Sequence, residues 1–160
     1  MKITRRTVFA AIASASLLAA FPASAATTVS VSLWDKPDMD MATGLGHGMG
    51  GDMSKANMGI TATPKSVPAG PVTFQVTNDS KDIVHEMIVA PLKSADEKLP
   101  YIDSEGRVDE EAAGHLGEVA ELDPGATGAL TVTLKPGSYI LYCNIAGHYM
   151  GGMWTDIEVK

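Results

Sequence analysis

Gly137-Ser138-Tyr139-Ile140-Leu141-Tyr142-Cys143-Asn144-Ile145-Ala146-Gly147-His148-Tyr149-Met150-Gly151-Gly152-Met153-Trp154 joins a strand-forming run to a short glycine-rich loop. The run from Tyr139 ends on Cys143, the only cysteine of the chain. Four residues separate Cys143 from His148, and four more separate His148 from Met153. Thiolate, imidazole and thioether on one loop make a soft, mixed sulfur and nitrogen donor set. Such a set suits copper, with Cys and His as strong ligands and Met as a weak axial one. A second imidazole must come from elsewhere, and His85 in Ile83-Val84-His85-Glu86-Met87-Ile88-Val89 is the candidate.

Outward from this loop the chain reads as short strands. Ala129 to Leu134 alternates, Lys135-Pro136-Gly137 turns, and Tyr139 to Cys143 returns, a hairpin that feeds the loop. Trp154 to Val159 closes the domain. Upstream, Thr27 to Leu33, Gly59 to Thr63, Val72 to Thr77 and Ile83 to Ala90 are strand-like runs bounded by Pro, Gly, Asn and Asp. Within Ile83 to Ala90, alternation puts Ile83, His85, Met87 and Val89 on one face, so His85 points into the domain from one end. Pro91 to Gly114 is charged and poor in strand formers, with a short acidic helix expected over Val108 to Ala113 and closed by Gly114. His115 has no Cys, Met or second His nearby in sequence and reads as an ordinary surface histidine. Seven to eight strands with turns between them predict an all-β Greek-key sandwich or barrel.

Residues 1–25 read as an export signal that is removed. Lys2, Arg5 and Arg6 precede an apolar core from Val8 to Phe21, and Ala23-Ser24-Ala25 fits the small-x-small cleavage pattern. The paired arginines also fit the twin-arginine route. Residues 26–160 then form a single domain. The formal charge of the 160-residue chain is −7, and loss of the three basic signal residues makes the remainder more acidic still. That balance disfavours nucleic acid and anionic lipid and attracts basic partners or cations. No later stretch has the length of a membrane span, and a monomer is expected. One cysteine forms no internal disulfide, and outside the cytoplasm a free thiol survives when it is buried or metal-bound.

Residues 38–58 change in character, with Met39, Met41, Met49, Met53 and Met58, a lone His47 and five glycines. No period of 3.6 or 2 runs through them, which predicts a flexible surface segment with one helical turn near its end. Met39, Met41, His47, Met49 and Met53 are candidates for loose Cu(I) capture, since soft thioethers favour that ion. The alternative is an insertion whose methionines lie against the barrel wall.

The Cys143-Asn-Ile-Ala-Gly-His148-Tyr-Met-Gly-Gly-Met153 loop, its preceding Tyr-rich strand and the strand after Trp154 resemble the ligand loop of the cupredoxins, the blue copper proteins. The spacing is closest to the rusticyanin and sulfocyanin branch. The resemblance implies a Greek-key β-sandwich holding one type 1 copper, with His85, Cys143 and His148 equatorial and Met153 axial. Met150 is a rival axial ligand, but it lies too close to His148 for the usual loop to fold back. Two positions depart from the family pattern. Many relatives carry Asn after the first histidine, where its side chain ties the two ligand loops. Here the residue is Glu86, and the tie is expected to pass to a backbone contact or to be lost. Ala146 stands where proline often precedes Gly-His, leaving the loop less constrained.

These features imply one-electron transfer to a redox protein partner through an apolar surface patch at His148, to which Tyr149, Met150 and Met153 are expected to contribute. Catalysis is not expected, because all four ligand positions are filled and no nucleophile elbow, phosphate loop or zinc-protease helix is present. The competing function is copper carriage, storage or tolerance, in which residues 38–58 collect Cu(I) and a copper-handling protein is the partner. A further possibility is a domain of this fold that serves only to bind a partner.

Overall fold

In a computed structural model that describes residues 25–37 and 42–160, the alternating runs become two stacked sheets. The export signal expected over residues 1–25 lies, except for Ala25, outside the described residues, and so do Met39 and Met41. The first sheet has the order β2-β1-β4-β9, with β1 Thr27–Asp35, β2 Met58–Thr63, β4 Gly70–Asn78 and β9 Thr127–Leu134. The second has the order β3-β11-β10-β5-β8, with β3 Ser66–Val67, β5 His85–Leu92, β8 Gly117–Leu122, β10 Gly137–Tyr142 and β11 Trp154–Val159. β1 pairs parallel with β4 and β3 parallel with β11, while the other neighbours run antiparallel.

Alternation decides which side chains enter the sandwich. Val29, Val31 and Leu33 of β1 and Val72, Phe74 and Val76 of β4 face inward, each at most 3% exposed. They meet Met87 and Val89 of β5, Leu141 of β10 and Ile157 of β11 in one apolar core. Cys143 and Met153 belong to that same core at one end of the sandwich.

β5 is unusual in being apolar on both faces. Its second face, Ile88 and Ala90, joins Ile140, Tyr142 and Tyr149 under a lid made by Leu99 and Val108. Residues 93–116 are therefore a cover for the outside of the second sheet. The acidic helix expected there is α1, Glu110–Ala113, capped by the Asp109 side chain and ended by Gly114 in the left-handed region. The same stretch holds a hairpin, β6 Tyr101–Ile102 and β7 Arg107–Val108, whose two-residue strands are too short to carry a periodic pattern. β8 was equally faint in sequence, since Val119 is its one buried residue.

The described part of the Met-rich segment is strapped down. Leu45 N–H donates to the Met150 carbonyl (2.9 Å), and the Trp154 indole N–H donates to the Leu45 carbonyl (2.7 Å). A single 3-10 turn, Met53–Lys55, falls near the end of the segment, where a helical turn was expected. Among the described residues no helix is long and apolar enough to cross a membrane.

Candidate metal centre

β10 and its loop bring three of the four candidate donors to one place. The Cys143 N–H donates to the Met153 carbonyl (3.1 Å), and the Met153 N–H donates to the His148 carbonyl (3.1 Å), closing residues 143–153 on themselves. Gly147 turns the chain with φ +85°, a conformation that side chains resist. His85 opens β5, where the pairing with β8 slips between His85 and Met87. One ligand atom each from His85, Cys143 and His148 lies within 4.8 Å of the other two. The two Nδ1 atoms are 3.3 Å apart, and the Cys143 sulfur is 3.3 Å from His148 Nδ1. His85, Cys143 and Met153 are 0% exposed and His148 7%.

The electrostatics suit a cation. Burial lowers His148 to about 4, helped by the neighbouring His85. Burial also lowers His85, against an opposing pull from Asp35. Both rings are therefore neutral near pH 7 and hold lone pairs for a metal. Burial pushes the Cys143 thiol up to about 12, so the sulfur gives up its proton only in exchange for a bound cation. Two ring nitrogens and a sulfur held this close repel one another unless a proton or a metal lies among them. The donor set, soft sulfur with imidazole, fits copper.

No protein-family model matches the chain, and no curated protein aligns with it. Solved structures do. Auracyanin from the photosynthetic bacterium Roseiflexus castenholzii superposes with a TM-score of 0.52 at 20% identity, covering 85% of this chain and 98% of its own. Auracyanin B gives 0.55 at 20%, covering 84% and 89%. Rusticyanin from Thiobacillus ferrooxidans gives 0.53 at 17%, covering 83% and 76%. The fold is that of the cupredoxins. In that fold His85, Cys143 and His148 form a buried cluster, with Met153 buried in the same core as Cys143, a donor set typical of one type 1 copper ion.

Relative to the cupredoxin pattern, the tie between ligand loops is neither lost nor passed to backbone alone. Glu86 itself makes it: Oε1 accepts the Asn144 N–H at 3.0 Å. The Glu86 side chain, one methylene longer than asparagine, spans the gap and supplies the accepting oxygen. Asn144 is held in turn on the cover. Its Oδ1 accepts the Val108 N–H (2.6 Å), and its Nδ2 donates to the Val108 carbonyl (2.9 Å) and to Glu110 (2.8 Å). The Gly147 N–H donates to the Gly106 carbonyl (2.8 Å), which restrains the loop where Ala146 replaces proline. Asp35, at the end of β1, lies 3.4 Å from His85 Nε2. That carboxylate favours the proton on Nε2 and leaves Nδ1 to face Cys143 and His148. Sequence reasoning missed Asp35 and Asn144 as supports. The one available signal was the position of Asn144 directly after the cysteine.

Burial, with Glu121, Glu110 and Glu118 nearby, raises Glu86 to about 7. Between its ordinary value of 4.5 and about 7, the folded chain keeps a proton that the unfolded chain has released. Rising pH through that window lowers the stability of the metal-free protein. The lowered histidines act oppositely, stabilising as pH rises toward 6.5. Glu86→Gln keeps an oxygen for the Asn144 N–H and removes the carboxyl contribution. Its unfolding free energy relative to wild type is expected to grow as pH rises through the carboxyl window. Chemical denaturation at several pH values reads this, and a pH-independent difference contradicts it.

Among the described residues, His47 and His115 do not belong to this donor cluster. His47 is 2% exposed, its Nδ1 donates to the Glu97 carbonyl (2.6 Å), and its Nε2 faces Asp156 at 3.4 Å. Its ring stands edge-on to Trp154, so both nitrogens face oxygen acceptors and it serves as a packing pin. Met53 is 40% exposed, Met49 half-buried and Met58 buried. His115 is exposed. The expected apolar patch at His148 is not built from Tyr149 and Met153, because both are fully buried. Tyr149 is drawn inward by packing against Tyr142 and Tyr101.

Proposed function

We propose that this protein carries single electrons between redox partners through one copper ion held by His85, Cys143, His148 and Met153. The observation that carries the reading is the convergence of two neutral imidazoles and one thiol, buried and within 4.8 Å of one another, beside a buried thioether. Bound there, copper supplies a Cu(I)/Cu(II) couple. The chain's residues do the rest. Asp35, Glu86 and Asn144 hold the donors in one arrangement, so little movement accompanies a change of charge. Four protein side chains fill the set and leave no place for a substrate, which supports a carrier rather than an enzyme. His148, 7% exposed against 0% for the other three, is the least enclosed donor and the route by which electrons enter and leave in this reading.

The acidic chain favours a basic redox partner met briefly. The composition of residues 1–25 supports export, and a periplasmic location follows from that reading. Anaerobic titration with a small one-electron reductant, followed by reoxidation, tests the function. One electron per chain, taken up and returned over repeated cycles with the copper retained, is the expected result. Release of copper at each reduction would replace electron transfer with copper carriage.

A further inference from the structure

Two thioether sulfurs pack over the same glycine beside the ligand loop. A Cβ built on Gly46 would lie 3.1 Å from the Met49 sulfur, 3.2 Å from the Met150 sulfur and 2.8 Å from a ring carbon of Tyr149. A side chain at position 46 would crowd all three groups, so both sulfurs pack directly over the Gly46 backbone. One sulfur comes from the Met-rich segment and the other from the ligand loop. Backbone hydrogen bonds hold the two together: Leu45 N–H to the Met150 carbonyl (2.9 Å), and Met49 N–H to the Gly46 carbonyl (3.1 Å). His47 pins the turn between them through its bond to the Glu97 carbonyl.

We propose that Met49 and Met150 form a second, Cu(I)-selective site at the surface of the ligand loop, separate from the buried centre. Neutral thioethers are soft and select Cu(I) over divalent ions that prefer oxygen or nitrogen. Each methionine has three rotatable bonds, so a small rotation brings both sulfurs onto one ion without moving the strapped backbone. Both residues are half-buried, whereas Met153 is fully buried with Cys143. The pair is thus less enclosed than Met153. It also narrows the broad capture expected of residues 38–58 to one methionine of that segment and one outside it.

The test is an anaerobic Cu(I) titration of the full protein carrying 13C-labelled methionine methyl groups, each signal assigned by a single Met→Leu substitution. With the first equivalent, the Met153 methyl moves if the buried centre is as proposed above. With the second equivalent, the Met49 and Met150 methyls move together, and a chromogenic Cu(I) chelator reads the affinity. Met49→Leu and Met150→Leu each weaken the second equivalent at least tenfold. Met49→Leu leaves the visible spectrum of the first equivalent, once oxidised, unchanged. A second equivalent that is absent, that moves other methyls instead, or that survives at wild-type affinity in the Met49→Leu/Met150→Leu double variant overturns the site. Failure of the Met153 signal at the first equivalent counts against the buried centre and leaves the reading of the second site intact.

Discussion

Cys143→Ser is expected to abolish the intense visible absorption of the Cu(II)-loaded protein while leaving the fold in place. The absorption depends on a filled sulfur orbital donating into copper's half-filled d shell, and a serine oxygen is too tightly bound in energy to replace it. Cys143 is 0% exposed in the sandwich core, so the hydroxyl must find a partner there. His148 Nδ1, 3.3 Å from the sulfur, is available as an acceptor. The cost to the metal-free fold is therefore at the low end for burying a polar group, about 1 kcal/mol. Absorption spectra before and after copper addition, with denaturant unfolding of the metal-free form, separate the two effects. A variant that unfolds in buffer, or that keeps the full absorption, contradicts the assignment of Cys143.

Asn144→Ala carries the second large effect, on stability and site together. The side chain is 2% exposed and joins the ligand loop to the cover. Its removal strands the Val108 N–H and carbonyl, two backbone groups whose partner it is. At about 1–3 kcal/mol for each buried group left unpaired, and with some relief by water, a loss of about 2–4 kcal/mol follows. The Asn144 N–H to Glu86 and the Gly147 N–H to the Gly106 carbonyl survive the substitution, but the loop loses its side-chain tie to β7. Copper affinity is expected to fall about 10–100-fold, the usual consequence of losing a support behind the ligands. Unfolding curves and a competitive Cu(I) titration check both numbers. A loss below about 0.5 kcal/mol would mean that the cover does not hold the loop.

The legible parts of this fold are those in which pattern and function share a short stretch of chain. The β9–β10 hairpin was readable because alternation, Lys135-Pro136-Gly137 and the returning apolar run are contiguous. Cys143, His148 and Met153 were readable because one loop carries all three. His85 was readable because strand alternation leaves it pointing inward. The supports were not, because they depend on contacts between distant segments: Asp35 with His85, Glu86 with Asn144, Asn144 with Val108 and Glu110. Nothing in the charge of residues 93–116 announces that Leu99 and Val108 close the far face of β5. The Met49 and Met150 sulfurs come together over Gly46 only because Leu45 and Trp154 fix the segment against the loop.

The whole account rests on Cys143, His85 and His148 sharing one copper ion. The most direct measurement is the visible and electron-spin-resonance spectrum of the wild-type chain given one equivalent of Cu(II), with the thiol counted before and after. The account predicts an intense colour, a copper signal with the narrow hyperfine splitting of a covalent sulfur bond, and a thiol that no longer reacts. A colourless sample with its thiol still reactive would contradict it.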